Sequence, residues 1–160
     1  MLSTLHTNDA LGAIARLIDL GVDSTVCTSS LLGVLAQRLV REICWNCKEQ
    51  YTPPGGLLET MFDVAPSNLR WYHGAGCPQC HQTGYKRRLA LAELWTPGFD
   101  DVLLINQGAP FDVVLEAARK NTYSMATDAL AKLREGRTTV DELLRVLPVS
   151  ALRELRSTMM

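Results

Sequence analysis

Two C-x-x-C pairs, Cys44 with Cys47 and Cys77 with Cys80, constrain this chain of 160 residues more than any other feature. Each pair sets two sulfurs on one tight turn. The twenty-nine residues between the pairs need only fold back to present four thiolates to a tetrahedral zinc ion. That gap exceeds the commonest zinc-ribbon spacing, so the intervening segment is expected to carry structure of its own. A redox C-x-x-C and a coincidental pairing of buried cysteines are the competing readings. Disulfides are disfavoured, because His6 and Asp9 stand where a secretion signal has a basic start and an apolar run. The fifth cysteine, Cys27, lies between Val26 and Thr28 and reads as a small buried apolar residue.

The composition changes around these cysteines. Residues 44–85 hold five of the eleven glycines and four of the seven prolines, and Pro53-Pro54-Gly55-Gly56 is a strong loop signal. One short helix is expected over Leu57–Phe62. The segment is thin in apolar residues, so a bound metal would organise it. On either side the pattern is helical. Ala10, Ile14, Leu17 and Ile18 recur at helical spacing behind a Thr7 or Asn8 cap, and Gly21 supplies a stop. A second helix is expected from Asp23 or Ser24 through Leu31, Leu32, Leu35 and Leu39. Leu89–Trp95 reads as a buried strand. Helices are then expected after Pro110, around Met125, Leu130 and Leu133 up to Gly136, and from the capping box Thr139-Val-Asp-Glu142 up to Pro148.

Charge narrows the function classes. Sixteen Lys and Arg against seventeen Asp and Glu leave a formal charge of −1, which supplies no global attraction for nucleic acid or an anionic membrane. The uncharged stretch Ser24–Gln37 is only fourteen residues long and contains six Ser, Thr or Gln, too short and too polar to span a bilayer. These features describe a soluble, cytosolic chain.

Four segments in a fixed order point further: "STLHTNDA" at Ser3–Ala10, "LAQRLVREIC" at Leu35–Cys44, "GCPQCHQTGYKRR" continuing to Glu93, and "KLREGRTTVDELLRV" at Lys132–Val146. In these the chain resembles the carboxy-terminal part of the type II secretion and type IV pilus assembly ATPases (secretion-pathway protein E), over nearly its whole length. The resemblance implies an α/β remnant of a RecA-like P-loop ATPase C-terminal domain, mostly helical, with an inserted tetracysteine zinc lobe and a helical C-terminal cap. The implied division is 1–43 for the ATPase core, 44–85 for the zinc lobe, and 86–160 for a return strand and the closing helices.

The same resemblance implies site residues and partners. "STLHT" matches the histidine box, so His6 would sense or polarise the γ-phosphate of ATP, with Thr4 and Thr7 supporting the loop. Cys44, Cys47, Cys77 and Cys80 would hold structural zinc, leaving His73 and His81 as surface or supporting residues. ATP and Mg²⁺ are the full-length family's cofactors. Its partners are the other subunits of a hexameric ring and an inner-membrane secretion or pilus platform protein, with no nucleic acid. The location implied is cytoplasmic, peripheral at the inner membrane through those partners.

Departures from the family accompany these matches. None of the four lysines, Lys48, Lys86, Lys120 and Lys132, follows a glycine, so no Walker A loop is found here; the acidic Walker B segment, which the resemblance places upstream of the histidine box, is absent as well. We therefore expect a truncated form, inactive by itself as an ATPase, with the faces of Ile14, Leu17, Leu31 and Leu35 left without partner strands. Arg87 replaces a family glycine, which would be strained if that glycine served a positive φ, and Ala92 stands where an aromatic is usual. Two other readings are weighed. A zinc-ribbon nucleic-acid module would use Lys86, Arg87 and Arg88, with Trp71, Tyr72 and Tyr85 stacking bases. The basic run reads more simply as a solvated turn. A decayed, inactive fragment is the third reading.

Overall fold

The computed structural model of the chain describes residues 2–66 and 68–157. In chain order, α1 (Gly12–Asp19) and α2 (Ser24–Ser30) precede β1 (Val34–Ile43). The short strand β2 (Lys48–Gln50), helix α3 (Gly55–Met61) and strand β3 (Tyr72–Gly74) follow, then the long strand β4 (Tyr85–Trp95). Helices α4 (Phe99–Asn106) and α5 (Phe111–Ala118), strand β5 (Thr122–Tyr123), and helices α6 (Met125–Arg134), α7 (Val140–Val146) and α8 (Val149–Ser157) complete the chain. Helices dominate. The strands form two small sheets, one in the order β1-β4-β5 and one of β2 with β3; β4 with β5 and β2 with β3 are antiparallel. No helix among the described residues is long and apolar enough to cross a membrane.

The chain divides into two compact units, residues 2–37 with 92–124 and residues 38–91 with 125–157. In the first, Asp9 Oδ1 accepts from the Gly12 amide at 2.7 Å as α1 begins, and Asp23 caps α2 through the Thr25 and Val26 amides. These caps satisfy helix-start N–H groups that otherwise lack partners. Ile14, Cys27, Trp95, Ile105 and Val114 pack into one core. Trp95 is fully buried and donates from Nε1 to Asp101 Oδ2 at 2.7 Å, while Asp101 Oδ1 accepts from the Gly98 amide. A buried carboxylate is thereby fully partnered. Ile14 is buried, and Leu17 and Leu31 pack partly buried against the same core, so these three are not the unpartnered residues expected; Leu35 is 62% exposed.

The second helix ends at Ser30, and residues expected to prolong it form β1 instead. Leu31, Leu32, Leu35 and Leu39 do fall at helical intervals, but Val34–Leu39 equally alternates half-buried with exposed positions. Pairing with β4, far away in sequence, decides between the two patterns. Residues 86–88, expected as a turn, belong to β4. Helices α4 and α8 have no counterpart in the sequence reading. Helix α7 ends at Val146, before Pro148 as expected, and α8 starts directly after that proline.

In the second unit, α6 and α3 each pack against α8, and α3 also packs against α7. Thr139 caps α7 by accepting from the Glu142 amide at 3.2 Å. The Glu142 carboxylate does not return to the cap, as a capping box requires. It accepts instead from the Arg41 amide at 2.9 Å and from the Arg41 and Arg145 guanidiniums.

Arg87 has φ of +138°, in a region that L-residues other than glycine rarely adopt. Its side chain is exposed, so truncation forfeits no packing. Arg87→Gly is expected to stabilise the chain by about 1 kcal/mol or more, raising Tm by roughly 2–4 °C in thermal unfolding. An unchanged or lowered Tm would contradict this account of the strain.

Candidate metal centre

Each C-x-x-C pair closes through one tight turn: the Cys47 amide donates to Cys44 O at 3.2 Å, and the Cys80 amide to Cys77 O at 3.1 Å. After the second pair, His81 and Gln82 adopt left-handed φ values of 52° and 63°. That reversal lets the Gln82 amide donate back to Cys77 O at 3.0 Å.

The pairs are brought together by the β2–β3 ladder, in the register Lys48↔Gly74, Glu49↔His73 and Gln50↔Tyr72. Its end is fastened by the Ala75 amide on Cys47 O at 2.9 Å, and the Cys44 amide donates to Gly84 O at 2.9 Å. A Cβ on Gly74 would lie 2.1 Å from Gly84 O, so these two backbones approach as closely as they do only because both residues are glycine.

The four sulfurs lie within 4.8 Å of one another. Cys44 to Cys77 is 3.9 Å, Cys47 to Cys80 is 3.8 Å and Cys77 to Cys80 is 3.7 Å. Four thiolates at about 2.3 Å from a tetrahedral zinc stand about 3.8 Å apart along each edge, whereas a disulfide bond is about 2.05 Å. The spacing fits a metal and not a bridge. Cys44 and Cys80 are buried, and Cys47 and Cys77 reach toward solvent.

The surroundings push the thiols in opposite directions. The Asn46 side-chain amide, 3.4 Å from Cys77 Sγ, leads the interactions that hold that thiol down to about 6. Burial works against ionising Cys80, but the backbone amides of Cys77 and Gly84 outweigh it and lower its pKa. Burial pushes Cys47 up to about 12. Four adjacent sulfurs cannot all ionise without a cation, and a bound dication removes that conflict.

Aromatic residues support the lobe. Lys48 Nζ lies 4.4 Å from the Trp45 ring centroid and 4.5 Å from that of Tyr72, and donates to Glu135 O at 3.2 Å. Phe62 and Trp71 pack with centroids 6.1 Å apart. His73 pairs with Glu49 at 3.0 Å and stacks on Tyr51, while His81 is exposed. Cys27 belongs to the core of the first unit, where burial raises its pKa. His6 and Thr4 are exposed in the segment before α1, and Thr7 Oγ1 donates to Asp9 O at 3.0 Å. Asn46 and Lys48 were missed by sequence reasoning. Their only signal was their position inside and directly after the first cysteine pair.

The pattern for the family described as type II/IV secretion system protein matches residues 1–145. The chain is 40% identical over 148 residues to the type II secretion system ATPase E of Vibrio cholerae, covering 91% of this chain and 29% of that protein. It is 43% identical over 150 residues to the type II secretion system protein E of Pseudomonas aeruginosa, with the same coverage of each. With the type IV pilus assembly ATPase PilB of Thermus thermophilus it shares 37% identity over 147 residues, 90% of this chain and 16% of that protein. The chain thus spans less than a third of the length of these relatives.

Proposed function

The chain belongs to the type II/IV secretion system protein family, and on that premise we propose that it is the metal-bearing, C-terminal portion of a secretion or pilus-assembly ATPase. The observation that carries this reading is a four-sulfur cluster set in a chain about 40% identical to a secretion ATPase. In the whole protein, ATP hydrolysis by a hexameric ring drives an inner-membrane platform from the cytoplasmic side. Residues 1–43 complete the RecA-like core and 44–85 form the zinc lobe. Residues 86–160 return to the core and close it with helices. Zinc, held by Cys44, Cys47, Cys77 and Cys80, is structural: four thiolates leave no open position for substrate.

His6 is the phosphate-facing residue in this reading. An imidazole N–H donated to a γ-phosphate oxygen distinguishes triphosphate from diphosphate. Alone it is not enough. One charge-assisted hydrogen bond supplies about 1.5–3 kcal/mol, and a millimolar dissociation constant needs about 4 kcal/mol. Calorimetry with Mg·ATP and a phosphate-release assay on this chain are therefore expected to register neither binding nor turnover. Joining it to the preceding domains of a close relative should produce turnover that His6→Ala reduces. Micromolar ATP binding by the chain alone, or full turnover by the joined His6→Ala protein, would contradict the assignment.

A further inference from the structure

A second feature of residues 38–91 with 125–157 has no part in holding metal. Arg41, Arg87, Arg88 and Arg145 surround an open basin of about 790 Å³, together with Tyr85, Glu142, Leu39 and Val146. Glu142 has no exposed side-chain surface and ties down two of the arginines, Arg41 Nη2 at 2.7 Å and Arg145 Nη2 at 2.5 Å. Arg41 is further fixed with its guanidinium 4.1 Å from the Tyr85 ring centroid, and the Tyr85 hydroxyl is hydrogen-bonded to Thr139 at 2.8 Å. Both guanidiniums keep a solvent-facing side, since Arg41 and Arg145 are 45% and 60% exposed. Arg87 and Arg88 lie exposed at the rim and have no carboxylate partner among the described residues. Four cations thus face one buried anion, an excess of three positive charges. One of the four, Arg87, is held at a strained φ of +138°.

We propose that this basin binds an acidic peptide segment of a partner protein, with its carboxylates on Arg87, Arg88 and the outer edges of Arg41 and Arg145, and an aliphatic side chain between Leu39 and Val146. Glu142 fixes two of the guanidinium forks before the ligand arrives, so little side-chain entropy is lost on binding. The mixed lining selects the class of ligand. A lone phosphate would engage the arginines and leave the apolar walls wet, whereas carboxylates spaced by an aliphatic residue cover both. The basin's size also suits several side chains rather than one ion. The inference does not depend on zinc or on ATP hydrolysis.

The test is fluorescence anisotropy on the whole chain with a short fluorescein-labelled peptide alternating glutamate and leucine. We expect saturable binding, weakened at least about tenfold by Arg88→Gln and by Arg87→Gly, each removing one charge-assisted contact. The same peptide with glutamine for glutamate should not bind. Amide NMR shifts on titration should centre on Thr83, Arg87, Arg88 and Val146. Because Arg87→Gly relieves strain, its Tm should not fall, which separates lost binding from lost folding. Unchanged affinity in both variants, or equal binding of the glutamine peptide, would overturn the proposal. So would displacement of the peptide by submillimolar inorganic phosphate, by an oligothymidylate or by phosphatidylglycerol vesicles.

Discussion

Protein purified under reducing conditions without chelator is expected to carry one zinc ion per chain, and Cys77→Ser is expected to lose it. The expected effect is large because the structural metal and the local fold are coupled. Tetrathiolate zinc sites contribute on the order of 10 kcal/mol or more in apparent binding free energy at neutral pH, and that energy is available to organise the polypeptide around them. Around the cysteines themselves the backbone framework is slight. Its strands β2 and β3 are three residues each, too short for an isolated hairpin to hold in water. Cys44 and Cys80 are its most buried sulfurs, so losing the ion leaves thiols crowded in a low-dielectric site. Hydrogen exchange should then rise sharply over residues 44–50 and 72–88 in Cys77→Ser, and little in the C-terminal helices. Cys27→Ser should keep its metal. A zinc content near zero in the parent protein, or unchanged protection in Cys77→Ser, would refute the metal assignment.

Glu142→Ala is expected to cost about 1–3 kcal/mol in urea unfolding, the range for losing charge-assisted hydrogen bonds to a buried carboxylate whose arginine partners, 45% and 60% exposed, can be rehydrated. The carboxylate serves three donors at once: the Arg41 amide and the guanidiniums of Arg41 and Arg145. The same contacts make stability depend on pH. Burial pushes the Glu142 carboxyl up, but Arg145 and then Arg41 outweigh it and hold its pKa at about 2, below the ordinary 4.5. A depressed carboxyl pKa stabilises the folded state fully above its unfolded value. This contribution is lost as pH falls from about 4.5 toward 2. Glu142→Gln should therefore show a flatter pH dependence than the parent protein across that window. Parallel curves would mean that the clamp contributes nothing to acid sensitivity.

Much of the local structure was legible in the residues themselves. Thr139 caps α7 because a hydroxyl three residues before Glu142 is placed to accept its amide. Gly21 and Gly136, expected as helix stops, adopt φ of +89° and +64°. Arg87, at the position where the resemblance led us to expect a glycine, does adopt a positive φ. Signals of this kind depend on a few adjacent residues, so they survive without knowledge of the fold. The extent of β1 and β4 did not, because the leucines of residues 31–39 fit two periodicities and only a partner strand distinguishes them. Glu142 was recognised as a capping-box residue, yet Arg41, 101 residues away in sequence, draws its carboxylate off the cap.

By itself the sequence determined the family and the donor set of four thiols, because cysteine spacing and motif order are written along one dimension. Only the tertiary structure decided that the four sulfurs gather within 4.8 Å of one another, which required β2 and β3 to pair and Gly74 to meet Gly84. It alone placed Arg41, Arg87, Arg88 and Arg145 around one basin. The physical reason is the same in both cases: distances between groups remote in sequence are set by backbone pairing and burial, which no local pattern of residue types encodes.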